Sequence, residues 1–357
     1  MADSENCNQD RKQGGLEDSC SQTGTSEQNE ENRRNRTLRS AALSVGPDRE
    51  NHLANHPLNQ RPVSILTNAI KEAFLIVSDV VRFKRLGCAF LADFRSGKST
   101  ALEMIAKELT NVFPGVACEL VSAIGHDAVT ERVFFGDLLV ALGLPFNGTA
   151  QERYQRLRAA FITACSEAGG RHFTLLIDEG QNWGEREFTF LRDFSNQLRK
   201  DRYVLTTVIF GDLRLNELAA SFRTARKDLW ARFLMKPELF ACMRSVEDLK
   251  FFMSEHDNVR RSEYPSGSKV CYSEFFLPRA YANGWRLGNE AQNAWEAFER
   301  AAAKVNRKLR DIGMQWVGDA VTHFLTAQMS EDVEGFTSVP ENWDEAVNQS
   351  KFTDSQI

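Results

Sequence analysis

No stretch of this chain is apolar over the length needed to span a bilayer, which argues against a membrane-embedded function. The first ten residues, MADSENCNQD, contain no apolar core and do not read as a secretory signal. The seven cysteines (7, 20, 88, 118, 165, 242 and 271) form no C-x-x-C pair or other metal spacing. An odd, scattered set of this kind points to reduced thiols in a cytoplasmic compartment, not to a disulfide framework or a zinc site. Internal repeats are missing too. So is an excess of positive charge, since 44 Lys and Arg face 49 Asp and Glu for a net of −5. That charge is unevenly spread. Residues 1–60 carry −3 and residues 331–357 carry −6, which leaves +4 on 61–330. A mildly basic body between acidic ends is compatible with DNA contact. The 357 residues suffice for one large domain or two smaller ones.

What is present centres on residues 86–108, LGCAFLADFRSGKSTALEMIAKE. An apolar run at 86–91 gives way to a turn and then to Gly97, Lys98, Ser99 and Thr100. Apolar residues at helical spacing follow: Leu102, Ile105, Ala106 and Leu109. The order predicts a strand, a tight loop and a helix. Such a loop can cradle a polyphosphate with backbone N–H groups and the helix N-terminus, provided side chains are small where the backbone approaches the ligand. Ala92, Arg95, Ser96, Gly97, Lys98, Ser99 and Thr100 are the candidate nucleotide contacts. Lys98 would reach the β- and γ-phosphates of ATP and Ser99 would sit on Mg²⁺. The pattern G-x-x-x-x-G-K-[ST] asks for glycine at 92, where this chain has alanine. Alanine is still small, and Gly97, nearest the phosphates, is present.

The second piece is FTLLIDEGQN at 173–182. Its continuous apolar run is that of a buried parallel strand, ending in Asp178 and Glu179. Asp178 is placed to hold the Mg²⁺ shell, and Glu179 to orient or deprotonate an attacking water.

Around these pieces the pattern alternates. Residues 1–60 are polar and read as a disordered arm, with a basic cluster at Arg33, Arg34, Arg36 and Arg39 that serves either as a DNA- or partner-binding arm or as plain solvated tail. Helices are predicted at 62–83, 130–143, 149–168, 185–200, 213–235 and 245–256, and strands at 117–121, 203–210 and 237–239. Thr130 and Ser245 read as N-caps, with Asp248 at a capping-box position. Alternation of this kind predicts a parallel sheet flanked by helices. Beyond a turn-like segment at 258–275, helices at 277–282, 290–309 and 311–328 predict a small helical lid domain. The division expected is therefore 1–60 arm, 61–256 nucleotide-binding α/β domain, 257–330 lid, and 331–357 loose acidic tail, where Trp343 and Phe352 are candidate partner anchors.

Taken in order, these parts resemble an AAA+ ATPase, and more narrowly the TniB/TnsC group that regulates multi-component bacterial transposons. The stretches that carry the resemblance are ADFRSGKST (92–100), LLIDEGQN (175–182), DLWARFL (228–234) and NGWRLGNEAQNAWEAF (283–298). The resemblance covers roughly residues 60–330 and implies ATP and Mg²⁺ as cofactors. It implies that Arg232 is the arginine finger reaching a neighbouring subunit's γ-phosphate, with Arg223 and Arg226 as competitors, and that Arg286 is the lid's sensor arginine. The γ-phosphate sensor expected after the strand at 203–210 departs from the family: Asp212 stands there, unless the role falls to Thr206 or Thr207. A carboxylate near phosphates is repulsive unless a metal or arginine compensates it. The resemblance further implies a cytoplasmic bacterial protein that forms a ring or filament on double-stranded DNA and recruits a transposase and a target-selection protein of the TniQ type. Lys107, His126, Thr130 and Arg132 are the candidate phosphate-backbone contacts, each of which is otherwise an ordinary polar surface residue. The competing reading is a signalling-type ATPase, a nucleotide-controlled protein-interaction switch that assembles without DNA.

Overall fold

The computed structural model describes residues 18–60, 65–93, 95–241 and 243–355. Two helices come first, α1 (Asp18–Leu43) and α2 (Pro47–Ala54). The α/β part follows as α3 (Asn68–Arg82), β1 (Gly87–Ala92), α4 (Lys98–Val112), β2 (Val116–Ser122), α5 (Glu131–Ala141) and α6 (Ala150–Glu167). It continues with β3 (His172–Asp178), α7 (Glu185–Lys200), β4 (Val204–Gly211), α8 (Arg214–Ala225), α9 (Lys227–Phe233) and β5 (Glu238–Phe240). The rest is helical: α10 (Val246–Glu255), α11 (Val259–Ser262), α12 (Tyr272–Phe276), α13 (Pro278–Ala282), α14 (Ala291–Lys304), α15 (Met314–Gln328) and α16 (Pro340–Gln349).

A strand without a polar face must be covered on both sides, and every residue of β3 is buried. The sheet order is β2-β3-β4-β1-β5, all parallel. One face packs Phe161, Phe173, Phe188 and Phe194 against α5–α9, with Phe161 and Phe173 stacked at 3.8 Å. The other packs Val77, Leu102, Ile105 and Phe210 against α3 and α4. Each such fully buried side chain contributes about 1.5–3 kcal/mol. The parallel order puts all strand carboxyl ends on one edge, where α/β proteins bind ligands.

Local signals place the helix ends. The Thr67 hydroxyl caps α3 from the N-terminal side, accepting from Ile70 N–H at 3.1 Å. Thr149 and Glu152 close a capping box on α6. Ser245 caps α10, but the Asp248 carboxylate accepts from Arg244 N–H and the Asn68 amide, so the expected box does not close. The single helix expected at 213–235 is two, broken at Arg226 (φ −138°, ψ 67°), whose guanidinium reaches Asp228 and Glu185 instead of continuing along a helix face.

A third core joins α10 and α12–α16, so α10 packs with the helical region and not with the sheet. Ala42 and Leu58 enter this core from the N-terminal side. Part of the arm read as disordered is therefore helical, while residues 1–17 lie outside the described residues. Its few apolar groups suffice because polar anchors assist them: Arg39 pairs with Glu274, and Arg49 donates to the Phe275 carbonyl at 3.0 Å. Arg33, Arg34 and Arg36 remain exposed on α1. The acidic tail likewise is not loose through 340–352. Trp343 stacks on Phe324 at 4.0 Å, and both Trp343 and Phe352 are fully buried, so neither is available as a partner anchor. No helix among the described residues is long and apolar enough to cross a membrane.

Candidate active site at the carboxyl edge of the sheet

β1 ends at the fully buried Ala92, and the chain turns through Arg95 (φ 61°) and Gly97 (φ 87°) into α4. Gly97 takes the left-handed conformation that L side chains adopt at a cost, so glycine suits this position better than its neighbours. The turn aims the free N–H groups at the start of α4 into a cavity of about 460 Å³. Ser96 lines that cavity at 1 % exposure, and its hydroxyl has no hydrogen-bond partner among the described residues.

β3 delivers the acids. The Ser99 hydroxyl donates to Asp178 Oδ2 at 2.6 Å, and Lys98 Nζ lies 3.4 Å from Glu179 Oε1. The four residues read from two separate stretches thus converge. Glu179 is left-handed (φ 56°), which starts a tight turn over residues Gly180–Asn182. Gln181 reaches back across the carboxyl end of β4, donating to Glu179 Oε2 at 2.5 Å and accepting from Asp212 N–H at 3.0 Å.

Asp212 is compensated. Burial works against its charge, but hydrogen bonds from the Arg214 side chain and backbone, and the charges of Arg214 and Lys98, hold its carboxyl below the ordinary value. The Arg214 guanidinium lies 2.8 Å away. Thr206 and Thr207 are at the other edge of the sheet. Thr207 pairs with Gly87, and Thr206 donates to the Arg85 carbonyl at 2.7 Å, so neither faces the loop.

Opposite the loop, Leu58, Ile65, Ile70 and Phe252 form an apolar wall with His256. Burial pushes His256 down to about 4 against backbone hydrogen bonds that favour its charge, so it is neutral at pH 7. An uncharged wall beside a cationic loop suits a ligand with one flat apolar end and one anionic end. The third wall is α15, with Met314, Gln315, Gly318, Asp319 and Thr322. The Arg95 guanidinium sits 5.4 Å over Trp316 on the same helix.

These residues fit a nucleoside triphosphate with Mg²⁺. The orphaned Ser96 hydroxyl, the helix N-terminus and Lys98 suit phosphate oxygens. Ser99 and Asp178 supply two hard oxygens side by side, as Mg²⁺ takes when its remaining ligands are phosphate and water.

Other expected residues are elsewhere. Arg286 does not line the cavity. After the turn at Gly284 (φ 97°) its guanidinium folds back 3.7 Å over the Tyr281 ring and donates to the Tyr281 and Trp285 carbonyls. Helix α15, and not Arg286, lines the cavity on this side. Arg232 is half-buried between α9 and α7, donating to Asn196 Oδ1 at 2.8 Å, and is pushed down by burial and then by Arg199 and Arg192. Of its competitors, Arg226 is paired with Asp228 and Glu185, and Arg223 lies over Trp230. His126 bonds Asp137 at 2.7 Å, and Thr130 caps α5. Lys107 and Arg132 are exposed. The helix expected at 311–328 is α15, but helical periodicity does not say which domain a face meets, so neither its place beside the loop nor the apolar wall could be read from the pattern. Gln181 sits inside the quoted acidic stretch, but only the turn reveals its reach.

Residues 82–219 match the family model described as an AAA domain. No curated protein sequence matches the chain. Among solved structures, the ORC2 protein of Aeropyrum pernix in its ADP form is 10 % identical, with 82 % of this chain and 72 % of that chain covered and a TM-score of 0.50. Domain III of the replication initiation protein DnaA from Thermotoga maritima is 14 % identical, with 81 % and 94 % covered and a TM-score of 0.45. The likeness to ORC2 is one of fold alone. Together with the loop, acidic strand and parallel sheet described above, the family match identifies residues 82–219 as an AAA-type P-loop domain, here followed by a helical C-terminal region.

Proposed function

We propose that this chain is a Mg²⁺-dependent ATPase that assembles on double-stranded DNA in its ATP-bound form and regulates DNA transposition. The observation that carries the ATPase half is the meeting of Lys98, Ser99, Asp178 and Glu179 at one strand edge, beside an unpartnered buried Ser96 hydroxyl. Support for the transposition half is the sequence resemblance of 92–100, 175–182, 228–234 and 283–298 to the TniB/TnsC group.

In this reading Lys98 would exchange Glu179 for phosphate oxygens, and Ser99 with Asp178 would hold Mg²⁺. Mg²⁺ supplies neutralisation of phosphate charge when bound. Glu179 then holds the attacking water and takes its proton. The Asp212–Arg214 pair keeps that end of β4 from adding net negative charge. Arg232 serves the neighbouring subunit's nucleotide, which is why it lies away from its own cavity. DNA contacts are to phosphates, with Lys107, His126, Thr130 and Arg132 as candidates, and the assembled form recruits transposase and a TniQ-type target-selection protein.

Negative-stain imaging with double-stranded DNA and a slowly hydrolysed ATP analogue tests this, beside ADP and DNA-free controls. Rings or filaments that need both ligands are expected. Glu179→Gln should bind ATP and DNA yet stay assembled under ATP. Assembly that is indifferent to DNA would favour the protein-interaction switch, and a Glu179→Gln variant that disassembles at the normal rate would remove Glu179 from its role.

A further inference from the structure

Glu179 is held by two partners of different kinds. Its Oε1 faces Lys98, a group with other business at the phosphates, while its Oε2 receives a hydrogen bond from Gln181 Nε2. The orientation of the Gln181 amide is fixed by chemistry. A backbone N–H can only donate, so the end facing Asp212 N–H must be the carbonyl Oε1, and the NH₂ end must face Glu179. The amide thus offers its donor to Glu179 and its acceptor to Asp212 from one planar group.

The surrounding backbone is cut to fit that side chain. A Cβ on Gly211 would lie 2.7 Å from Gln181 Oε1, so a larger residue would push the amide off Asp212. A Cβ on Gly180 would lie 2.3 Å from Ile209 Cγ2 and would lift the turn that carries Gln181 away from β4. The left-handed Glu179 and these two glycines serve one arrangement, a clamp that ties the acid after β3 to the end of β4.

We infer that Gln181 is a positioning residue for ATP hydrolysis, holding one oxygen of Glu179 so that the other faces water once Lys98 has turned to phosphate. This rests on the reading of Glu179 as the group that activates water. The clamp also has a second end. Asp212 leads through Arg214 into α8 and then α9, which carries Arg232. Gln181 thus joins the acid after β3 to the residue that leads into α8.

The test is steady-state ATP turnover by the full chain with Mg²⁺ and double-stranded DNA, together with equilibrium binding of a fluorescent ATP analogue. Gln181→Met keeps the shape without the polar ends. Gln181→Glu keeps an acceptor for Asp212 N–H but sets an anionic oxygen against Glu179. Both are expected to lower kcat by about tenfold to a hundredfold while KM and analogue affinity stay within about twofold. A merely structural role would weaken binding along with turnover and lower the melting temperature. Wild-type kcat in Gln181→Met, with Glu179→Gln inactive, would overturn the role of Gln181 and leave the ATPase reading intact. No turnover by the wild-type chain, or normal turnover by Glu179→Gln, would overturn the ATPase reading and this inference with it.

Discussion

Gly180 sets the spacing between Glu179 and the sheet. With a Cβ 2.3 Å from Ile209 Cγ2, Gly180→Ala forces the turn or the strand to shift. Overpacking of this kind costs about 1–3 kcal/mol. Urea denaturation should show that loss, and ATP turnover should fall further than the stability change explains, because Gln181 moves with the turn. An alanine variant with wild-type stability and turnover would mean the turn has slack that the packing does not suggest. At this scale placement was legible where residue type and order coincide. That Lys98, Ser99, Asp178 and Glu179 meet at one strand edge follows from a small loop after one strand and an acid at the end of another. Asp212 was readable as a departure. Its neutraliser Arg214 was not, since two residues of separation fit many geometries. Arg286 lies over Tyr281 after the Gly284 turn, and nothing in the linear pattern indicates which way that turn goes.

Elements bounded by their own signals were read nearly to the residue. The apolar run of β3, the Thr130 cap on α5 and the Ser245 cap on α10 are local, so no tertiary knowledge was needed. Helix α16 shows the opposite case. Its sequence, PENWDEAVNQ, is acidic and carries few apolar residues, which alone cannot hold it in place. What holds it is a surface made elsewhere. Trp343 stacks on Phe324 of α15, and its indole N–H donates to Glu290 Oε2 at 3.2 Å. Glu290 also accepts from the Trp285 indole at 2.9 Å and from Ser338. Trp343→Ala should therefore cost about 3–5 kcal/mol, the range for emptying an aromatic site in a core. A tail without fixed structure would give no change, so equilibrium unfolding of this one variant separates the two descriptions. The variant should retain nucleotide binding if unfolding is kept below its midpoint, because Trp343 does not line the cavity.

Across the whole molecule, three of the six histidines are buried: His172 at the start of β3, and the neighbours His256 and His56, which share the Tyr272 ring, with His256 beside the cavity and His56 also among Tyr264, Phe275 and Phe276. Composition could not single them out, since their burial follows from how the N-terminal helices, the sheet and the helical region meet. Burial pushes His56 down to about 3, with His256 adding to it, and pushes His172 and His256 down to about 4, with Lys84 adding to the shift at His172. The unfolded chain titrates each near 6.5. Below that pH the unfolded state takes up protons that the folded state refuses. The stability associated with these groups is therefore fully present above about pH 6.5 and is lost as pH falls toward 4, by at most about 1.4 kcal/mol per pH unit for each histidine. Asp257 acts in the opposite sense, because burial raises its carboxyl and so favours the folded state at low pH. Its window opens only above the ordinary carboxylate value, so it reduces the slope without reversing it. Unfolding free energy measured by urea between pH 4.5 and 7.5, a window set by these shifts, should rise with pH. His256→Gln should lower the slope by about one proton's worth, whatever it does to the height of the curve. A slope unchanged in that variant would mean that His256 takes its proton in the folded state, and with it that the wall facing the phosphate loop carries a charge.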